Sequence, residues 1–352
     1  MCAGKVGRPE FIADWGSRLA TRVRSDELKP YTATFSPKSM ASHSNTVIYA
    51  ALAGNILVAL TKAVAAAMTG SSAMLSEAIH SFVDTINEVL LLYGGWRSRR
   101  APDLAHPFGF GRELYFWSFI VALLIFALGA GVSLYEGIRH VLAPDPIRNP
   151  VVSYVVLTLS LVFEGASWWV ALRSLRAAKG EMTYLQAIHR SKDPPQFMVV
   201  LEDTAAIAGI LIAFAGTWAS VTFHEPRFDG IASILIALVL AVIATVLARE
   251  SMELLIGERA DPAMQQAIGD MARAMDGVVA VNGMLTSQMS PQQVVIAMSV
   301  EFDDGLGIVA VERIVCELEN RAREAYPEIM SLFIKPQSPQ GFKAAVARRV
   351  TT

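Results

Sequence analysis

Between Asn45 and Glu250 the chain is a succession of apolar runs, each about as long as a bilayer is thick. A span of the hydrocarbon core takes roughly 20 apolar residues. Six such runs are readable, at about 46–68, 72–96, 113–138, 151–173, 197–221 and 228–249. Runs of that length constrain the fold more than any other feature, because in lipid every backbone polar group must be satisfied inside the element itself. The expectation is an α-helical membrane protein, a six-transmembrane-helix bundle. Charged residues make up only 18% of the chain, against about 25% in soluble domains, and the deficit is concentrated before Glu250. The residues after Glu250 are mixed in character and read as a separate soluble domain.

The organisation expected is an N-terminal cytoplasmic segment (1–44), the transmembrane domain (45–249), a cytoplasmic α+β dimerisation domain (250–338) and a disordered tail (339–352). Basic residues crowd the N-terminal segment, the loop after the second run (Arg97, Arg99, Arg100, Arg112) and the loop after the fourth (Arg173, Arg176, Lys179, Arg190, Lys192). The alternate loops carry few: none in Gly70-Ser71-Ser72, Arg139 and Arg148 after the third run, Arg227 after the fifth. The bias places both termini on the cytoplasmic side. In the soluble part, Asp261-Pro262 opens a helical pattern, two β-rich segments flank Ser290-Pro291, and Ile308, Ile314, Leu318 and Ala322 share a helix face. A last β-rich segment, 328–336, completes a helix–strand–strand–helix–strand order, a ferredoxin-like arrangement. With a net charge of −2, nothing suggests a nucleic-acid partner. Cys2 and Cys316 are too far apart in character to suggest a disulfide framework, and Cys316 reads as a packed thiol.

The second run is the anomaly. In "SEAIHSFVDTINEV" the residues Glu77, His80, Asp84 and Glu88 recur at helical spacing on one face, with Ile79, Val83, Ile86 and Leu90 opposite. An ionisable group at mid-bilayer costs roughly 2.5–3.5 kcal/mol on insertion scales, so such groups face other helices or water and mark function. His80 and Asp84 stand one turn apart, the spacing that lets one helix offer two ligands to one ion. The fifth run repeats the pattern with Glu202 and Asp203, beside Ala205 and Gly209, whose small size would let another helix approach. The fourth run holds Glu164. For Glu77, Glu88 and Glu164 a plain interhelical hydrogen bond is as good a reading as ligation.

These residues resemble the cation diffusion facilitator family of metal–proton antiporters, over about 45–338. The resemblance is carried by "GSSAMLSEAIHSFVDTINEVLLLYG", by the stretch from "HPFGFGRELYFW" through "YEGIRHVLAPDPIRNP", and by "LLIGERADP". It implies a transport site between the second and fifth spans, with His80, Asp84 and Asp203 at ligand positions. The family's other fifth-span ligand position is occupied here by Val199, so Glu202, Glu164 or water would complete a four-ligand shell. The "LEDTAAIAG" wording is similar to a branch that includes a mitochondrial zinc transporter. Of a loop site that some members carry, only Asp103 and His106 remain, with Phe110 in the third place; a weak site or none is expected. The soluble-domain positions that bind metal in other members hold Asn282, Ser299 and Lys335, which implies a domain that dimerises and does not sense metal.

The expected function is efflux of a divalent metal cation, zinc first, in exchange for protons by alternating access. The chain is expected to use no cofactor beyond the transported ion and to catalyse no reaction. It is expected to form a homodimer through its C-terminal domain, in a bacterial inner membrane or an organelle membrane. Iron, cobalt, manganese or nickel as the cargo, and a non-transporting scaffold of the same fold, are the alternatives. A membrane metalloenzyme using His80, Asp84 and Asp203 lacks any nucleophile elbow or second histidine near the site.

Overall fold

A computed structural model describes residues 41–180 and 182–350 of the chain. It divides into two compact units, 1–50 and 51–352. Of the first, only helical turns 41–50 are described, and the remainder of the N-terminal segment lies outside the described residues.

Six long helices match the six apolar runs: α1 (Ala41–Thr69), α2 (Ser72–Ser98), α3 (Glu113–Leu142), α4 (Pro150–Lys179), α6 (Pro194–Phe223) and α7 (Arg227–Ile256), with a short α5 (Tyr184–Arg190) between the fourth and fifth. Five are long and apolar enough to cross a membrane by length and composition. The exception is α2, which has the length, 27 residues or about 40 Å at 1.5 Å per residue, but carries the polar stripe. The chain is thus a multi-pass integral membrane protein whose least apolar helix is a candidate site helix.

The helices run beyond the predicted ends because their caps lie outside the apolar runs. α4 and α6 each begin with proline in the first turn, where a missing N–H costs nothing. α7 continues to Ile256 and stops at Gly257, whose φ of +106° is a left-handed termination. α5 has no counterpart among the expected elements; a capping box between Thr183 and Gln186 sets its start. α3 is interrupted by a π-helical segment, Ile125–Ala130, facing α7.

Close helix crossings rest on small residues. At Gly137 in α3 an added Cβ would stand 2.9 Å from both the Gly230 carbonyl oxygen and the Ile234 nitrogen of α7. Gly216 of α6 leaves room for the Ala232 methyl group of α7. Without a hydrophobic driving force between helices in lipid, such backbone approach supplies the packing.

The C-terminal part is α8 (Pro262–Arg273), β1 (Val278–Ser290), β2 (Gln293–Phe302), α9 (Ile308–Ala325), β3 (Ile329–Pro336) and α10 (Pro339–Val350). Asp261 caps α8 by accepting the Ala263 N–H at 2.7 Å. The sheet has the order β1-β2-β3, antiparallel then parallel. Its core joins Ile268 and Ala272 of α8, Ile296 and Val300 of β2, and Leu318 and Ala322 of α9. Ile308 stays exposed at the start of α9, and Cys316 is exposed too, correcting its reading as a packed thiol. The expected disordered tail is corrected to the helix α10 over Pro339–Val350: its proline start comes after Ser338, which accepts the Gly341 N–H at 3.3 Å, and the Phe342 ring covers the bare face of Gly283 in β1.

The sheet domain meets the loops after the second and fourth spans. Arg112 Nη2 donates to Ser287 Oγ at 3.0 Å, and Lys192 Nζ pairs with Glu258 at 2.5 Å. Those two arginine-rich loops therefore lie on the same face of the membrane domain as the sheet.

Gly137→Ala should destabilise the membrane domain by about 1–3 kcal/mol, the usual cost of overpacking, because the clash is with backbone. Gly95→Ala, which meets nothing within 4 Å, should not. Thermal unfolding of both in detergent checks this.

Candidate metal-transport site

The second helix sets the site's axis. Ser71 caps it by accepting the Met74 N–H at 3.1 Å, and a carboxylate from another helix reinforces the cap. Asp229 of α7 accepts from Ser71 Oγ at 2.6 Å and from the Ser72 N–H at 2.5 Å. An anion at a helix N-terminus is stabilised by the helix dipole, so this contact fixes one end of α2 against α7.

Further along α2 the polar residues divide between two environments. Glu77 is fully buried, and its carboxyl occupies the place where a side chain on Gly209 of α6 would lie. Gly209 thus permits the close approach its size suggests. Ser81, Asp84, Glu88 and Leu91 face a cavity of about 430 Å3 between α1, α2, α4 and α6. Its lining on α2 straddles the middle of the helix, from Ser81 to Leu91. Glu88 is tied to the first helix through Asn55 Nδ2, which donates to Glu88 Oε1 at 2.5 Å. His80 lies buried beside the cavity wall, with Nδ1 3.4 Å from Asp84 Oδ1.

Glu202 and Asp203, adjacent in α6, point differently, as a 100° step per residue requires. Glu202 is buried toward α2, where Asn87 Nδ2 donates to its Oε1 at 3.2 Å. Asp203 turns toward α4 and accepts from Ser167 Oγ at 2.9 Å, while Trp168 Nε1 donates to Thr204 Oγ1 at 3.0 Å. These two bonds hold α4 and α6 in register. Both carboxylates line the cavity, as does the apolar Val199. Glu164 of α4 lines it too, and its Oε1 lies 3.4 Å from Lys62 Nζ of α1.

The structure therefore brings Asp84, Glu88, Glu164, Glu202 and Asp203 to one cavity, with His80 behind Asp84. Among the described residues no three histidine, cysteine, aspartate or glutamate side chains converge tightly enough to hold one ion. What points to a ligand is polar atoms left without a hydrogen bond: His80 Nε2 is buried with no partner, and His80 Nδ1 and Asp84 Oδ1 face each other at 3.4 Å without forming one. Buried polar atoms are satisfied in the great majority of cases, and an unpaired one costs about 1–3 kcal/mol. An imidazole with carboxylate oxygens is the donor set of zinc and similar first-row ions. Lys62 is the residue that sequence reasoning misses, although it is the single charge in the run Leu52–Thr69 and carries the signal.

The loop pair is of another kind. Asp103 Oδ1 accepts the His106 N–H at 2.6 Å and the Ala105 N–H at 3.0 Å, which holds its carboxyl below the usual range, and the His106 ring lies 4.4 Å from that of Phe110. These contacts build a turn. Asn282 and Ser299 of the sheet domain bond each other and Gln337.

The model of the cation efflux transmembrane domain matches residues 48–256. The human mitochondrial proton-coupled zinc antiporter SLC30A9 is 34% identical over 260 residues, 73% of this chain and 46% of that protein. Metal tolerance protein C4 of Arabidopsis thaliana is 37% identical over 221 residues, 62% of this chain and 48% of its own. The cation-efflux pump FieF of Cronobacter sakazakii is 25% identical over 294 residues, covering 81% and 91%. The chain thus spans about half the length of the first two relatives.

Because the Asp103–His106 contacts are those of a turn, His106→Ala should leave zinc stoichiometry and affinity unchanged in calorimetric titration.

Proposed function

The chain belongs to the cation-efflux family, and we propose that it carries a divalent metal ion, zinc first, across a membrane in exchange for protons. One observation carries the reading: the His80 nitrogens and Asp84 Oδ1, left without a hydrogen bond, lie beside a cavity lined by carboxylates from α2, α4 and α6. The names of the relatives agree with it, two of them specifying a zinc antiporter and a cation-efflux pump.

In this reading His80, Asp84 and Asp203 are ligands, and Glu164 or Glu202 supplies the fourth that zinc favours. His80 supplies selectivity, since imidazole suits zinc and its neighbours while hard ions prefer oxygen. The carboxylates offset the ion's charge as it leaves water. Imidazole and carboxylate bind metal only without their protons, so metal entry releases protons and proton entry releases metal. His80, the imidazole of the site, and the carboxylates around it are the groups that take up and give back the exchanged protons. The two faces are reached in turn by one group of helices rocking against another around the site.

The face that carries the arginine-rich loops and the sheet domain is the cytoplasmic or equivalent face, by the positive-inside rule. The sheet domain would pair two copies. Supporting this, Leu285, Ala297 and Phe333 stand in one row across β1, β2 and β3, and Leu285 and Phe333 are exposed by 54% and 53%.

In sealed proteoliposomes with an imposed pH gradient, the protein should drive zinc uptake, and Asp84→Ala and Asp203→Ala should each lower it at least a hundredfold. Well-folded wild type that moves neither zinc nor iron, cobalt, manganese or nickel would overturn the reading. In the same assay His80→Asp should raise the manganese-to-zinc rate ratio at least tenfold; an unchanged ratio would remove His80 from the selectivity role.

A further inference from the structure

Lys62 has no part in the scheme above, and its surroundings assign it one. A lysine ammonium within the membrane is among the costliest groups to bury and persists only when paired. Lys62 has no solvent exposure and meets three partners: Ser81 Oγ at 2.8 Å, Glu77 Oε2 at 3.2 Å and Glu164 Oε1 at 3.4 Å. Lysine is a compact charge on a four-carbon stem, so its head can shift while its backbone stays in α1.

The two carboxylates are not equivalent. Glu77 is closed off from solvent and is not part of the cavity lining; it sits in the space that Gly209 leaves open. Glu164 keeps 18% exposure, lines the cavity, and stands one turn before Ser167, the partner of Asp203. Lys62 is therefore anchored outside the cavity by Glu77, and at the cavity wall it meets Ser81 and Glu164, which both line it. Glu202, by contrast, already holds a neutral donor, Asn87.

We propose that Lys62 is a tethered cation that competes with the transported ion for Glu164, so that Glu164, freed from the ammonium, becomes the fourth metal ligand in place of the one missing at Val199. This rests on the transport reading given above. A divalent ion beside Asp84 and Asp203 repels the ammonium away from the cavity, toward Glu77. Departure of the ion lets the ammonium return. Glu164 is compensated in both conditions, which a carboxylate in a low-dielectric site requires. The exchange is one of position: the ammonium stays charged throughout. It makes release easier than from a site of four uncontested ligands, and so tunes affinity downward for turnover.

The test is a double-mutant cycle on the full-length protein in nanodiscs, read as the zinc Kd by calorimetry. Lys62→Met alone would strand Glu77 as a bare buried carboxylate, so the pair is neutralised together as Lys62→Met with Glu77→Gln, which keeps the net charge of the cluster. That double variant should lower the zinc Kd at least tenfold and slow flux in proteoliposomes at least fivefold. Glu164→Gln should raise the Kd at least tenfold, and in that background the Lys62/Glu77 change should alter Kd less than twofold. A Kd unmoved by the Lys62/Glu77 change, or a gain that persists undiminished with Glu164→Gln, overturns the proposal while leaving transport itself standing. A wild-type protein that neither binds nor transports a metal overturns this inference together with the reading it rests on.

Discussion

The contact between Lys62 and Glu77, 3.2 Å long and shut off from solvent on both sides, is the interaction on which the polar half of the membrane domain depends. Neither charge could be held there alone. Removing one partner of a buried pair typically costs about 3–5 kcal/mol, because the other is left uncompensated. The pair ties the C-terminal third of α1 to α2, and Glu164 extends it to α4. Gly209 adds the fifth span by leaving room for the Glu77 carboxyl. The cavity that holds Asp84, Glu164, Glu202 and Asp203 is framed by the helices that this cluster joins.

That constraint sets the division of labour among the helices. α3 and α7 pack through small residues, Gly137 against Gly230, and α7 reaches back through Asp229 to cap α2. These contacts are tight and locked by backbone. The contacts across the cavity are of another sort: single side-chain hydrogen bonds, Asn55 to Glu88, Asn87 to Glu202 and Ser167 to Asp203. In the proposed transport scheme an ion entering between α2 and α6 would have partners to exchange there without breaking a packed interface. The sheet domain, joined at Arg112–Ser287 and Lys192–Glu258, meets the loops after the second and fourth spans.

Much of this is legible in the sequence, for a physical reason. The bilayer demands apolar length, so the six helices can be counted from composition, and the stripe of α2 stands out because ionisable groups are rare there. Helical spacing puts Glu77, Asp84 and Glu88 on one side. It cannot separate Glu77, which faces a lysine, from Asp84 and Glu88, which face the cavity, because that depends on which helix lies opposite. Lys62 is easily passed over as one charge in a long apolar run, although the cost of burying it makes it as informative as any carboxylate. Cys316 stands two residues from both Ile314 and Leu318, so helical spacing already turns it off the face they share, and its reading as packed overlooks that spacing. α10 reads as a tail because its contact with β1, Phe342 over Gly283, is tertiary. The helix ends lie beyond the apolar runs because prolines and a left-handed glycine, not apolar residues, define them.

One imidazole and a set of carboxylate oxygens from the second, fourth and fifth spans are what should hold the metal, and every step of the transport scheme needs that shell. Zinc K-edge X-ray absorption on the loaded protein, wild type beside His80→Ala, measures it. One imidazole in the wild type, lost in the variant, with the other ligands oxygen at about 2.0 Å, is the predicted result. Two or more imidazoles, or a shell unchanged by removal of His80, would contradict it.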